Sequence, residues 1–240
     1  MSSENVSVKR FAVYAAPRQS SPWWQIWCEW LGSDAGTLSS MNPPTIPGIN
    51  PIVMKSLLKE PARYGLHATL KAPFRLNLDV DLDELKIRIQ EIALQYEPFE
   101  LDLGLERLRN FYALTPLRDD PRINQLANHV VSELDQFRLP LSEQDIAKRR
   151  LLGLSPLEDK MLLKWGYPFV MESFRFHISL TGRLDELSEE EESQVREAIL
   201  RRLESLSKHP FVMDSLCLFE EPSSGADFLI TQRFLFNKAS

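Results

Sequence analysis

The chain repeats its own order of elements, and that repeat limits it to few folds. Tyr64-Gly65-Leu66-His67-Ala68-Thr69-Leu70-Lys71-Ala72-Pro73-Phe74 alternates apolar and polar side chains as a strand does. It leads into a helical spacing of Leu82, Leu85, Ile89, Ile92 and Ala93 within residues 81–96, then into short strand patterns at 99–103 and 108–114. Phe174-Arg175-Phe176-His177-Ile178-Ser179-Leu180 opens a second copy, followed by a helix over about 188–207 and strands near 213–219 and 228–236. Strand, helix and hairpin, twice over, predict an α+β fold. Its two pseudo-symmetric lobes would each be an antiparallel sheet with helices on one face, and the open faces would meet in a central cleft.

The chain reads as one bilobal domain over residues 1–240, with motif units at about 62–116 and 172–237 and a connecting segment at about 139–171. Its 240 residues, 43% of them hydrophobic, can bury a core of that size. A strand at 11–16, an aromatic helix at 22–31 and a proline-rich loop at 42–48 precede the first unit. A helix near 124–137, a charged stretch at 141–150 and the segment 157–165 lie between the units.

Successive side chains of a strand point to opposite faces, so parity sorts each histidine strand. In the first, Tyr64, Leu66, Ala68, Leu70, Ala72 and Phe74 share an apolar face, and Arg63, Gly65, His67, Thr69 and Lys71 share a polar one. The second puts Phe174, Phe176, Ile178 and Leu180 against Ser173, Arg175, His177, Ser179, Thr181 and, beyond a glycine, Arg183. Each polar face thus presents an imidazole and, roughly 6 to 7 Å along the strand, a hydroxyl.

This pattern suits phosphoester chemistry. Imidazole, with an ordinary pKa of about 6.5, takes or gives a proton near neutrality, and cleaving an unactivated phosphodiester needs both acts. His67 and His177 are the candidate acid–base pair, and Thr69 and Ser179 the hydroxyl donors to non-bridging phosphoryl oxygens. Lys71, Arg175, Arg63 and Arg183 are candidates to offset charge gathering on phosphorus. Tyr14 and Tyr167 are candidate aromatic linings of the groove, and Phe111 or Tyr112 can face either way. The stripe of Trp23, Ile26, Trp27, Trp30 and Leu31 has the spacing of core packing instead.

Other classes are excluded or disfavoured. A formal net charge of −6 leaves no global field to hold duplex nucleic acid, so an anionic substrate must meet a locally basic site and is expected to be small. No apolar stretch reaches the roughly 20 residues of a membrane span, and residues 1–17 lack a signal-peptide core. Two cysteines, Cys28 and Cys217, without a CxxC partner fit a reducing cytoplasm. Neither histidine strand has an HExxH-type spacing or a clustered carboxylate to mark a metal site, and no cofactor is expected. The sequence leaves the oligomeric state open.

His67-Ala68-Thr69-Leu70 and His177-Ile178-Ser179-Leu180 resemble the paired His-x-Thr/Ser signatures of the two-histidine phosphoesterase superfamily, which includes RNA ligase-like cyclic phosphodiesterases. The longer stretches, from Arg63 to Phe74, from Trp165 to Val170 and from Thr181 to Leu184, look like a bacterial branch whose members are often labelled phosphonate-metabolism proteins. The resemblance implies a bilobal fold with both histidines across a groove, metal-independent hydrolysis of a cyclic or strained phosphodiester, and acid–base roles for His67 and His177. Ser179 departs from the commoner threonine but keeps the hydroxyl. Two other activities remain compatible with these residues: binding of a nucleotide or phosphate ester without turnover, and ligase-like formation of a phosphodiester.

Overall fold

The computed structural model describes residues 9–237; residues 1–8, the start of the segment 1–17 that lacks the pattern of a signal-peptide core, and residues 238–240 lie outside the described residues. The first half runs β1 (Arg10–Ala15), α1 (Pro22–Leu31), β2 (Ser33–Asp34), β3 (Ser39–Ser40), α2 (Pro51–Tyr64), β4 (Ala68–Phe74), α3 (Leu82–Ala93), β5 (Phe99–Leu101), β6 (Leu103–Leu108) and β7 (Phe111–Pro116). Then follow α4 (Pro121–Glu133), α5 (Glu143–Arg150), α6 (Pro156–Trp165), β8 (Ile178–Ser179), α7 (Glu189–Ser205), β9 (Phe211–Met213), β10 (Ser215–Glu221) and β11 (Leu229–Leu235).

Local chemistry explains where the helices start. Each of α1 to α7 begins after a Ser, Asn or Asp whose side chain accepts a backbone N–H of the first turn. Such a cap is worth about 1 kcal/mol. Four of them open on Ser-Pro, Asn-Pro or Asp-Pro pairs, where proline's missing N–H costs nothing.

The α+β reading holds, with antiparallel strands throughout the main sheet, but the two repeats share that sheet. Its seven strands run β11-β10-β1-β4-β8-β7-β6. The first unit's hairpin, β6–β7, pairs with the second unit's histidine strand β8, while the second unit's hairpin, β10–β11, reaches β4 through β1. Helix α3 accordingly packs on β10 and β11, and α7 on β6. Strands β5 and β9 complete the exchange as a separate pair, with Phe99 opposite Met213.

The strand expected to begin at Tyr64 begins at Ala68. Arg63 and Tyr64 end α2, a helix announced by Asn50-Pro51, and Gly65 breaks it at φ +69°, where an added Cβ would meet that of Ala35 at 2.5 Å. The second strand shrinks likewise to Ile178–Ser179. The tryptophan helix is core: Trp23, Trp24, Trp27 and Trp30 are buried, and the Trp30 indole donates to the Leu180 carbonyl at 2.7 Å, fixing the chain just past β8.

Candidate active site

The two histidine strands are neighbours in the sheet. They pair antiparallel with Ala68 opposite Ile178, so continuing that register puts His67 across from Ser179 and Thr69 across from His177. The local two-fold passes through this pair, and the histidines stand on a diagonal whose backbone spacing is about 7 to 8 Å. Leu66, Ala68, Leu70, Phe176, Ile178 and Leu180 are buried in the core. His67, Thr69, His177 and Ser179 line one groove of about 550 Å³ on the other face, within the size range of small-molecule sites.

Both rings are held the same way. Nδ1 of His67 donates to the Gly65 carbonyl at 2.9 Å, and Nδ1 of His177 donates to the Arg175 carbonyl at 2.8 Å. A carbonyl can only accept, so each neutral ring keeps its proton on Nδ1 and leaves the Nε2 lone pair free. Burial pushes the His67 pKa down to about 4, against the opposing pull of the Gly65 carbonyl and with help from nearby His177. His177 is also lowered by burial, with Arg175 adding to the effect through its charge and opposing it through its carbonyl. Both imidazoles are therefore neutral proton acceptors in the free protein near pH 7. Among the described residues, neither the Thr69 nor the Ser179 hydroxyl has a protein hydrogen-bond partner, so both can turn to a ligand.

The remaining expected residues divide. Tyr14, opposite Thr69 on β1, lines the groove and lies against His67 with ring centroids 4.1 Å apart; burial holds its phenol well above the usual range, as a neutral donor. Tyr167 lines the groove too, its phenol likewise raised by burial. Arg183 reaches the rim and is paired with Asp185 at 2.6 Å. Ser179 opposite Ala113 settles the first hairpin: Phe111 faces the groove, and Tyr112 is buried, donating to Glu192 at 3.0 Å.

Two expected phosphate cations are not on the histidine face, and a third stands beside the groove rather than in it. Lys71 falls to a β-bulge: Tyr14 pairs with Thr69 but Val13 with Lys71, so β4 spends an extra residue and Lys71 turns away with Val13. It is 3% exposed and donates to the Val131 carbonyl at 3.2 Å. Arg63, helical instead of extended, is ion-paired with Glu221 and donates to the Ala226 carbonyl at 3.1 Å. Arg175 borders a neighbouring depression beside His177 and is ion-paired with Glu106 of β6.

In their place the groove takes up Arg10, Asn110, Arg149 and Tyr64, which parity puts on the apolar face but which ends helix α2 instead of joining the strand. Arg10 begins β1 and is ion-paired with Glu221. Arg149 comes from α5 in the connecting segment, its guanidinium 5.2 Å from the centre of the Tyr167 ring. No local pattern ties Arg149 to the histidines; only the fold brings it there. Among the described residues no group of three or more His, Cys, Asp or Glu side chains could hold a metal ion, and no helix is long and apolar enough to cross a membrane.

Known proteins resemble the chain to different degrees. It is 34% identical over 233 residues to the ribose 1,5-bisphosphate phosphokinase PhnN of Janthinobacterium sp. (strain Marseille), covering 96% of this chain and 51% of that protein. To the protein of the same name from Laribacter hongkongensis (strain HLHK9) it is 32% identical over 219 residues, covering 91% and 50%. The chain thus spans about half the length of the curated relatives it matches. Among solved structures, one described as a phosphoesterase covers 96% of this chain and 99% of its own at 12% identity and a TM-score of 0.41. E. coli LigT complexed with 3'-AMP covers the same shares at 13% identity and a TM-score of 0.39. Likeness at that level carries no chemistry. Residues 69–229 match the family described as protein of unknown function, DUF1045. That span takes in Thr69, His177, Ser179 and more than half of the sequence, and the chain belongs to the DUF1045 family.

Proposed function

We propose that this chain is a phosphoesterase that hydrolyses a small cyclic or strained phosphodiester without a metal, His67 and His177 being its base and acid. The observation that carries the reading is the pair of imidazoles, each tied through Nδ1 to the carbonyl two residues back and free at Nε2, diagonal to one another over one groove. Water attacks phosphorus as the base takes its proton on Nε2. The hydroxyls of Thr69 and Ser179 and the phenol of Tyr14 donate to the non-bridging oxygens as their charge grows. The acid releases its Nε2 proton to the departing alkoxide, and the two rings then exchange protons with water to restore the start.

The environments favour a division of labour. His67, the more strongly lowered of the two, stays neutral and suits the base; His177, less perturbed, takes up a proton more readily beside a bound phosphate and suits the acid. The relatives are named for a phosphokinase acting on ribose 1,5-bisphosphate, which makes phosphorylated pentoses natural members of a substrate panel. Kinase chemistry itself is not assigned to this chain, since it contains no Gly-Lys pair and hence no Gly-x-x-x-x-Gly-Lys-Ser/Thr phosphate loop.

The test is a screen of purified protein, with EDTA present, against cyclic phosphates and linear phosphodiesters. Turnover that survives chelation and falls about 10²- to 10⁴-fold in His67→Ala and in His177→Ala supports the reading. Binding without turnover of any member, weakened equally by both substitutions, would replace it with a phosphate-ester binding protein. Joining of RNA ends would replace it with a ligase.

A further inference from the structure

The groove continues past the histidines. Strand β4 runs on to Phe74 while β8 has only Ile178 and Ser179, so the far part of β4 lacks a strand neighbour on that side. There the groove adjoins a smaller recess of about 80 Å³, several times the roughly 10–15 Å³ one water needs. Arg10, Arg149, Ala72, Pro73 and Tyr167 border both spaces.

The recess is walled by five cations: Arg10, Lys71, Arg75, Arg138 and Arg149. Three carboxylates serve them. Asp135 lies 3.5 Å from Lys71 and 2.9 Å from Arg138, and Glu221 pairs with Arg10 but also with Arg63. Asp145, the third, accepts the Ser142 hydroxyl at 2.8 Å. Among the described residues, Arg75 and Arg149 have no carboxylate within ion-pairing distance. Arg75 reaches solvent, but Arg149 is half-buried without a carboxylate partner, and an anion in the recess offsets the cost of desolvating its charge. Arginine forks suit phosphate oxygens in particular, and the neutral phenol of Tyr167 adds a donor.

We infer that this recess seats a second, non-reacting phosphate of the same substrate, so that the molecule cleaved is a cyclic phosphodiester that also carries a phosphomonoester. The inference rests on the phosphoesterase reading above. Arg149 and Arg10 grip the monoester while the ring phosphate lies between the histidines, and hydrolysis yields a product with two phosphomonoesters. Anchoring by a remote group orients the reacting phosphorus, so the second phosphate raises turnover as well as affinity. Helix α5 contributes Arg149 yet buries none of its own residues, packing on α6, so the anion also steadies this helix.

Two measurements test this. The first compares kcat/KM for a nucleoside 2′,3′-cyclic phosphate and its 5′-phosphorylated counterpart. The phosphorylated compound is preferred by the wild type, and the preference ratio falls about 10- to 100-fold in Arg149→Ala, the loss of one or two charge-assisted hydrogen bonds. Arg149→Lys, which keeps the charge without the fork, recovers part of it. An unchanged ratio overturns the inference. The second measurement needs no turnover: ribose 5-phosphate, ribose and inorganic phosphate are titrated into wild type, His67→Ala and Arg149→Ala, with amide exchange followed along α5. Ribose 5-phosphate should bind the first two and slow exchange in α5, and bind Arg149→Ala about 10- to 100-fold more weakly. Equal binding to all three proteins overturns the subsite. Inorganic phosphate that binds as tightly and activates the unphosphorylated substrate in trans makes it a regulatory site instead, which also overturns the inference. Arg149-dependent binding without turnover of any cyclic phosphate would sink the phosphoesterase reading and leave the anion site standing.

Discussion

His67 and His177 make the same hydrogen bond to the carbonyl two residues back, yet they sit in unlike halves of the groove. His67 precedes a seven-residue strand and lies 4.1 Å from the Tyr14 ring, with Tyr64 at 5.7 Å and Phe219 at 6.2 Å. His177 precedes a two-residue strand and has Phe111 at 6.0 Å and the charge of Arg175 close by. Repetition fixed the tautomer of each ring, and packing then set their acidities apart. A symmetric motif becomes an acid and a base because its surroundings are asymmetric.

The comparison breaks most visibly in the histidine variants. Each of His67→Ala and His177→Ala should cost about 10²- to 10⁴-fold in kcat/KM, and they should differ in what remains of the pH profile. For the wild type that profile is a bell whose acid limb lies near pH 4, where His67 protonates, and whose alkaline limb lies below the ordinary imidazole range, because burial lowers His177 and it loses its proton early. Residual activity of His67→Ala should lose the acid limb and that of His177→Ala the alkaline limb; the opposite pattern reverses the assigned roles.

A smaller effect appears in stability. An unfolded histidine binds its proton near pH 6.5 and His67 near 4, so the unfolded state gains protons first as pH falls. Stability present above pH 6.5 is lost on descending toward 4, by at most about 3 kcal/mol from this group. Urea denaturation at both pH values should show that loss in the wild type and a shallower one in His67→Gln. Equal slopes would mean that the ring is less buried than its packing implies.

Smallest are the hydroxyls: Thr69→Val and Ser179→Ala should each lower kcat/KM by about 10- to 100-fold, whereas Ser179→Thr should be nearly silent. A large loss in only one would show that the phosphate leans on one half.

Much of this was legible in the chain because alternation is a local property. Parity put His67, Thr69, His177 and Ser179 on the groove face, and helical spacing marked the tryptophans as core. Parity failed wherever geometry came from elsewhere. Lys71 was lost to a bulge set by pairing with β1, and Arg63 to a helix that starts at Asn50-Pro51 and runs into the strand's expected beginning. Hairpin exchange was invisible, since nothing local says which strand edge a hairpin will join. Arg149 was unreachable for a similar reason: a charged surface helix and a ligand-facing helix look alike until a fold sets one beside a groove.

The swapped hairpins also bear on how such a protein can change over generations. Each repeat supplies one imidazole but borrows the strands beside it from its sister copy, so neither can be excised, shuffled or allowed to drift as an independent module. A repeat built this way ties its halves together: a change that unseats one hairpin is felt at the other half's imidazole.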